Sequence, residues 1–330
     1  MDLVWLWFAG LLIYSLGLIL ALRVAWVGFE LSLSFMLYLL PLNAGVLIVS
    51  LLLGITNAWA GGGVFIFVLA NLAWLARIVG WAWVRPGKTV DSRLRGSDKG
   101  VRGNDSEGDL KVCIGFMNVL EKNQRYADIG QRIQELGLDV VGLAEMNPDG
   151  FAVLKQASGL THSYISSGNV DPSDRELAVV SRWPIARATI VGKAHQKLLQ
   201  VQLKTAAGAW QVLVFHPYPP FTARWLKRRN QVLAELATIT QAATIPTIIM
   251  GDFNTVPWAP ALIRLRRHLA NHYHAGQGRG LYHTWQRGPL RLPIDYIWLP
   301  CRLPAGSLQL DRFMGSDHRL VWIQIEARGS

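Results

Sequence analysis

Cysteine is nearly absent: Cys113 and Cys301 are the only two in 330 residues. Two cannot build a disulfide framework, and so wide a separation lacks the spacing of a cysteine metal site. Charge is scarce as well. Only 17% of residues are Asp, Glu, Lys or Arg, and none of these occurs from residue 31 to residue 76. With 51% hydrophobic residues and a mean hydropathy of +0.23, that gap excludes a single uniform soluble globule. A purely membrane-embedded transporter is excluded in turn by the polar, charge-rich run over residues 85–110. Acidic residues are the scarcer sign, 22 against 33 basic, for a net charge of +11. Residues 1–84 balance to zero and residues 85–110 contribute +1, which leaves +10 on residues 111–330. A basic domain of this kind favours polyanionic partners, nucleic acid or an anionic bilayer, although solvated arginine faces produce the same excess.

What is present in the first quarter is long apolar sequence. Residues 3–22 are uncharged and long enough to cross a hydrocarbon core of about 30 Å. Residues 31–55 form a second such stretch, broken only by Pro41 and Asn43, and residues 64–83 a third. In the third, Arg77 is placed to snorkel and Trp74, Trp81 and Trp83 to form an interfacial belt. The expectation is therefore a bundle of about three transmembrane helices over residues 1–84. A cleaved signal peptide fits less well, because a basic start and a small-residue cleavage site are lacking. Lys and Arg cluster from Arg77 to Arg102, after the third span, which predicts an inner-membrane, multi-pass protein with its catalytic domain on the cytoplasmic face.

Residues 85–110 carry Gly, Ser, Asp and Lys without apolar periodicity and read as a flexible linker. Deletion of residues 1–84 is accordingly expected to leave a soluble, active domain. From residue 111 short β-branched runs alternate with amphipathic stretches. Strands are predicted over 111–117, 139–144, 176–181, 197–205, 210–215, 246–250, 294–299 and 318–325, and helices over 124–136, 222–242 and 258–268. Many strands and few helices predict an α+β domain, a four-layer sandwich of two packed sheets flanked by helices.

Polar residues cluster where these strands end. Asn118 follows the first strand, Glu145 ends the second in VVGLAEMNPD, and His216 closes VLVFHPYPP. Asp252 and Asn254 lie in IIMGDFNTVPW, Asp295 opens IDYIWLP, and Asp317 and His318 lie in FMGSDHRLVW. Singly each has a bland reading as a turn former, a surface acid or a core histidine. Together they suit metal-assisted hydrolysis of a phosphate ester. A hard divalent ion takes oxygen ligands, which Asn118, Glu145 and Asp317 can supply. In-line attack needs a water activated by a histidine that a carboxylate orients, a role that fits His318 with Asp295. Donors toward the phosphate oxygens are available at His216 and Asn254.

With these motifs in this order, residues 111–327 resemble the endonuclease/exonuclease/phosphatase superfamily, with GDFN and the terminal SDH specific in combination. The resemblance implies Asn118, Glu145 and Asp317 as metal-associated residues and Mg²⁺, or Mn²⁺ in its place, as cofactor. It also implies Asp252, Asn254, His216, Asp295 and His318 as the catalytic set, and Asn254, His216 and Arg175 at the substrate phosphate. RELAVVSRWPI, with Ser181 and Arg182, looks like the family's central strand. One departure is Ala144 before Glu145, where many members carry Gln. His216 resembles the deoxyribonuclease and sphingomyelinase branches and argues against an abasic-site endonuclease.

Three functions remain in play. A membrane-anchored phosphodiesterase acting on nucleic acid is favoured by the basic stretches Arg224, Lys227, Arg228, Arg229 and Arg264, Arg266, Arg267. The same chemistry on a phospholipid or sphingomyelin-type diester is favoured by the expected spans. A non-catalytic scaffold that binds nucleic acid ranks last, because every residue of the constellation is intact. The architecture alone does not choose among them.

Overall fold

A computed structural model describes residues 9–16, 34, 43–46, 48, 58–83, 109–166, 176–191, 198–278 and 280–328. In chain order the elements are α1 (Ala58–Trp83), β1 (Asp109–Asn118), α2 (Tyr126–Glu135), β2 (Val140–Met146), α3 (Pro148–Ser158), β3 (His162–Ile165) and β4 (Glu176–Ser181). There follow β5 (Ile185–Val191), β6 (Leu198–Thr205), β7 (Gly208–Phe215), α4 (Ala223–Gln241), β8 (Thr247–Asp252), α5 (Pro260–His268) and β9 (His272–His274). The last elements are β10 (Trp285–Arg287), β11 (Leu290–Leu292), β12 (Asp295–Pro300), β13 (Gln309–Phe313) and β14 (Arg319–Arg328).

Two six-stranded sheets, ordered β13-β14-β1-β2-β4-β3 and β5-β6-β7-β8-β12-β9, pack face to face. The period-2 alternation of strand side chains explains why. In β7, Trp210, Val212 and Val214 face the other sheet, whereas Leu213 and Phe215 face α4 and α5. In β2, Val140 and Ala144 face the second sheet while Val141 and Leu143 face α2 and α3. Strands apolar on both sides must be covered on both sides, which yields the helix–sheet–sheet–helix order expected from the sequence. At Gly142 a Cβ would come 2.5 Å from Met250 Sδ, so a larger residue there would push the two sheets apart.

Some elements escaped sequence reading. The helix α3 carries its own signals: Asn147 caps it by accepting from Asp149 N and Gly150 N, Pro148 occupies the first turn, and Gly159 ends it at φ 66°. The short strands β3, β5, β9 and β13 and the β10–β11 hairpin were also missed. Strand β4 is second from the edge of its sheet rather than central. There Ser181 Oγ accepts from Trp183 N and Arg182 pairs with Asp139 at 2.7 Å, so both serve the fold.

The N-terminal region departs from expectation. Among the described residues no helix is long and apolar enough to cross a membrane. The spans expected over 3–22 and 31–55 lie largely outside the described residues, as does the linker up to residue 108; Asp109 and Leu110 already belong to β1. The third expected span lies within α1, and two of the tryptophans expected in an interfacial belt, Trp74 and Trp81, are placed otherwise. Trp74 and Trp81 are 1% and 6% exposed and pack with Val256, Trp258, Leu292 and Ile294 of the catalytic domain. The Arg77 guanidinium lies 5.1 Å from the centroid of the Trp74 ring. The end of α1 is closed by the domain itself, because Trp81 O and Ala82 O accept from Gly278 N and Gly280 N.

His274 lies in this seam, stacked 6.2 Å from Trp81, and its Nδ1 has no hydrogen-bond partner among the described residues. Burial first, and Arg266 second, hold the imidazole neutral with a pKa lowered to about 3. The unfolded chain binds that proton near 6.5 and the folded chain only near 3, so stability is lost as pH falls through that interval. From about pH 7 to about pH 4.5, the melting temperature of the parent protein should therefore fall further than that of His274→Phe. Parallel curves would show that His274 is not what acid attacks.

Candidate active site

All the functional strand ends meet at one edge of the two sheets. Strand β1 delivers Asn118, β2 Glu145, β7 the following His216, and β8 Asp252, while antiparallel β12 starts there with Asp295 and β14 is preceded by His318. Parallel pairing of β1 with β2 and of β7 with β8 brings their C-terminal ends together. Antiparallel β12 then places Asp295 directly opposite Asp252.

Two carboxylates facing each other across strands repel, and both are buried. The histidines compensate. His318 Nδ1 lies 2.9 Å from Asp295 Oδ2, and its Nε2 lies 3.6 Å from Asp252 Oδ2. His216 Nε2 lies 3.3 Å from the same Asp252 oxygen and 3.7 Å from Glu145 Oε1. Burial alone would drive the proton off His318, but Asp295, Asp252 and Asp317 outweigh it and raise its pKa to about 10. For His216, burial lowers the pKa and is likewise overcome, by the Asp252 contact and the Glu145 charge, to a net rise. Burial raises Asp252, yet the two histidines bring it below its ordinary value. Asp295 goes the other way, raised by burial more than His318 lowers it. The Asp295 contact assigns the Nδ1 proton of His318 and leaves Nε2 facing the Asp252 side of the pocket.

Backbone irregularities aim the remaining groups. The pairing of β2 with β4 shifts register between Ala144 and Met146, and Glu145 has φ 56°. Regular alternation would send Glu145 toward α2 and α3 with Leu143. The bulge instead returns Met146 to that side and turns Glu145 to the second sheet, where it meets His216. Leu120, at φ 62°, and Asn254, at φ 48°, are left-handed too; Asn254 N donates to Asp252 Oδ1 at 2.9 Å and its Nδ2 lies 3.1 Å from His216 Nε2. Each left-handed non-glycine residue costs roughly 1–3 kcal/mol, and two of them, Glu145 and Asn254, supply polar groups to the site. Asn118 Nδ2 donates to Glu145 Oε1 at 3.0 Å and to Asp252 Oδ2 at 3.2 Å, while its Oδ1 accepts from Leu120 N.

The structure thus brings Asn118, Glu145, His216, Asp252, Asn254, Asp295 and His318 into one pocket. Asp317 is at its margin, 3.9 Å from His318 Nε2 and bonded by Trp285 Nε1 at 2.8 Å. Arg175 lies outside the described residues. The supporting roles of three residues were not read from the sequence. Ser316 Oγ ties the SDH loop to β1 by donating to Asn118 O, and accepts from His318 N. Thr284 Oγ1 accepts from Ile294 N and Asp295 N, and so fixes the start of β12. Arg229, expected on a phosphate track, is fully buried and donates to Asn254 O at 3.1 Å. The serine of SDH was visible in its motif; Thr284 had no local signal.

Among the described residues, one group of metal-ligating side chains converges within 4.8 Å: Asp252, Asp295 and His318. Asp295 is committed to His318 Nδ1 through both oxygens; Asp252, which accepts from Asn254 N at Oδ1 and from Asn118 Nδ2 at Oδ2, and Glu145, which accepts from the same Asn118 amide, are the two carboxylates that could hold a cation between them. Hard carboxylate oxygens in a shared pocket suit a divalent cation that completes its shell with water and phosphate.

A two-sheet sandwich with an Asp–His pair beside such a pocket defines a metal-dependent phosphoric ester hydrolase. The chain belongs to the Endonuclease/Exonuclease/phosphatase family, whose sequence model matches residues 114–318. Among solved structures it is similar to D. rerio TDP2 complexed with a single-strand DNA product, at 16% identity and a TM-score of 0.55, over 65% of this chain and 98% of that one. It is also similar to the human Nocturnin catalytic domain with bound sulfate, at 20% identity and a TM-score of 0.53, over 66% and 95%. An endonuclease/exonuclease/phosphatase protein from Bacteroides vulgatus gives 14% identity and a TM-score of 0.57, over 66% and 100%. At these identities the likeness is one of fold. No curated protein matches the chain.

Proposed function

We propose that this protein is a phosphodiesterase that hydrolyses nucleic acid, with Mg²⁺ or Mn²⁺ held at Glu145 and Asp252. The carrying observation is the buried Asp295–His318 pair with Nε2 turned toward Asp252. In this reading Asp295 holds the Nδ1 proton, and His318, once the charge of Asp252 that helps keep it protonated is shared with a bound cation, is neutral at Nε2 and takes a proton from the attacking water there. His216, whose pKa is raised by Asp252 and Glu145, donates from Nε2 to the phosphate oxygens, Asn254 beside it turns its amide from His216 to the same oxygens when substrate enters, and Asn118 keeps Glu145 and Asp252 in place. When bound, the cation supplies Lewis-acid stabilisation of charge on the phosphate. Nucleic acid as substrate is supported by the +10 charge of residues 111–330 and by the DNA product named in the TDP2 complex.

The test is the full chain with Mg²⁺, Mn²⁺ or EDTA on supercoiled plasmid and single-stranded oligonucleotide. Nicking or shortening that EDTA abolishes, and that Glu145→Gln lowers by about a hundredfold or more, is the expected result. Undiminished cleavage in EDTA sinks the metal assignment, and inert nucleic acid sinks the substrate.

A second reading, a phospholipid diester at the cytoplasmic face of the membrane, is favoured by one feature. Opposite its docked side, α1 exposes Leu69, Leu72, Leu75 and Val79 in a stripe spaced three or four residues apart. That stripe is a surface a bilayer could cover. Metal-dependent headgroup release from vesicles, with plasmid left intact, would establish this reading over the first.

A further inference from the structure

We infer that the segment after His216 is a base-stacking platform that binds the nucleotide next to the scissile phosphate; this rests on the nucleic-acid reading above. Phe221, in the loop that leads from His216 to α4, is an exposed large hydrophobic at 62% of its surface rather than part of a core. It does not stand alone. Tyr218 and Trp225 stack at 5.4 Å with an interplanar angle of 16°, and Phe221 leans on Trp225 at 6.4 Å. Arg228 lies 5.9 Å over the Tyr218 ring, and Arg224 and Lys227 are exposed on the same turns of α4. Aromatic faces interleaved with cations match an alternation of bases and phosphates, because stacking accepts any base and the cations follow the backbone.

The platform is fixed to the catalytic residues at both ends. Asn254 Nδ2 donates to Pro217 O at 2.8 Å and contacts His216. From the helix side, buried Arg229 donates to Asn254 O. Thr222 caps α4 by accepting from Trp225 N, which sets the ring's position at the helix start. A base stacked on Phe221 or Trp225 is thereby placed in register with the phosphate that His216 and Asn254 face.

The test compares cleavage of an oligothymidylate with cleavage of an abasic oligonucleotide of the same length by the full chain. The KM ratio of the two isolates the base. The parent protein is expected to prefer the base-bearing strand by about tenfold, and Phe221→Ala to lose that preference. Phe221→Trp should retain it, which separates stacking from general damage; melting temperatures check that each variant is folded. Equal ratios in the parent protein and Phe221→Ala overturn the platform and leave the nucleic-acid reading standing. Hydrolysis of neither strand overturns both. An unchanged ratio with lost binding to phosphatidylglycerol vesicles would make Phe221 a bilayer contact and also overturn the platform.

Discussion

Replacing His318 with glutamine is expected to lower kcat by about 10²–10⁴-fold while the domain stays folded. His318 separates two buried carboxylates, 2.9 Å from Asp295 and 3.6 Å from Asp252. Alanine at this position would leave Asp295 without its cationic neighbour and Asp252 with His216 alone, and breaking a buried pair costs about 3–5 kcal/mol, so a loss of activity could reflect unfolding. Glutamine keeps an amide that can donate to Asp295 but cannot take a proton from water. Asp295→Asn attacks the same pair from the other side. An asparagine amide donating to Nδ1 moves the imidazole proton to Nε2, the atom that must be free to act as base, and a loss of comparable size is expected. Steady-state hydrolysis and thermal melting on the same preparations decide the matter. A folded His318→Gln protein with parental kcat would remove His318 from the mechanism.

Deleting residues 1–84 is expected to destabilise the catalytic domain and make it aggregate. The seam buries Trp74, Ile78, Trp81 and Ala82 of α1 against Val256, Trp258, Leu292 and Ile294, and removal would expose that apolar surface. Gly278 N and Gly280 N would lose their acceptors at the end of α1. Within the full chain, Trp81→Ala tests the same contact more gently, at an expected cost of about 3–5 kcal/mol in chemical denaturation. The effect should reach the chemistry, since Val256 and Trp258 continue directly from the Asn254 turn and Tyr282 of the seam precedes Thr284, which anchors Asp295. If a fragment beginning near residue 105 is soluble, active and as stable as the full chain, the docking of α1 is incidental.

Much of the catalytic domain was legible in the chain. Runs such as 210–215 and 246–250 are short, β-branched and apolar on both faces, which only a doubly covered strand satisfies, and their number predicted two stacked sheets. The site was legible for a related reason. Polar residues such as Asp252 and Asp295 interrupt otherwise apolar strand ends, and a position of that kind is costly unless neighbours compensate. Short edge strands such as β9 and β13 left no pattern, because a few half-exposed residues do not complete a period.

By itself the sequence determined the layered class, the family motifs and the residue types of the site, because these follow from local periodicity and from side-chain chemistry. Only the tertiary structure decided how those residues face one another. Asp252 meets Asp295 through strand register, Glu145 turns inward through a bulge, and Asn118 holds two carboxylates through an amide. It also decided the fate of two ambiguous signals. Arg229 reads as a cation for phosphate and is instead buried under the Asn254 turn. Trp74 and Trp81 read as a lipid belt and instead pack against the catalytic domain. A hydrophobic stretch states that its surface must leave water, but the surface that covers it comes from residues almost two hundred positions away.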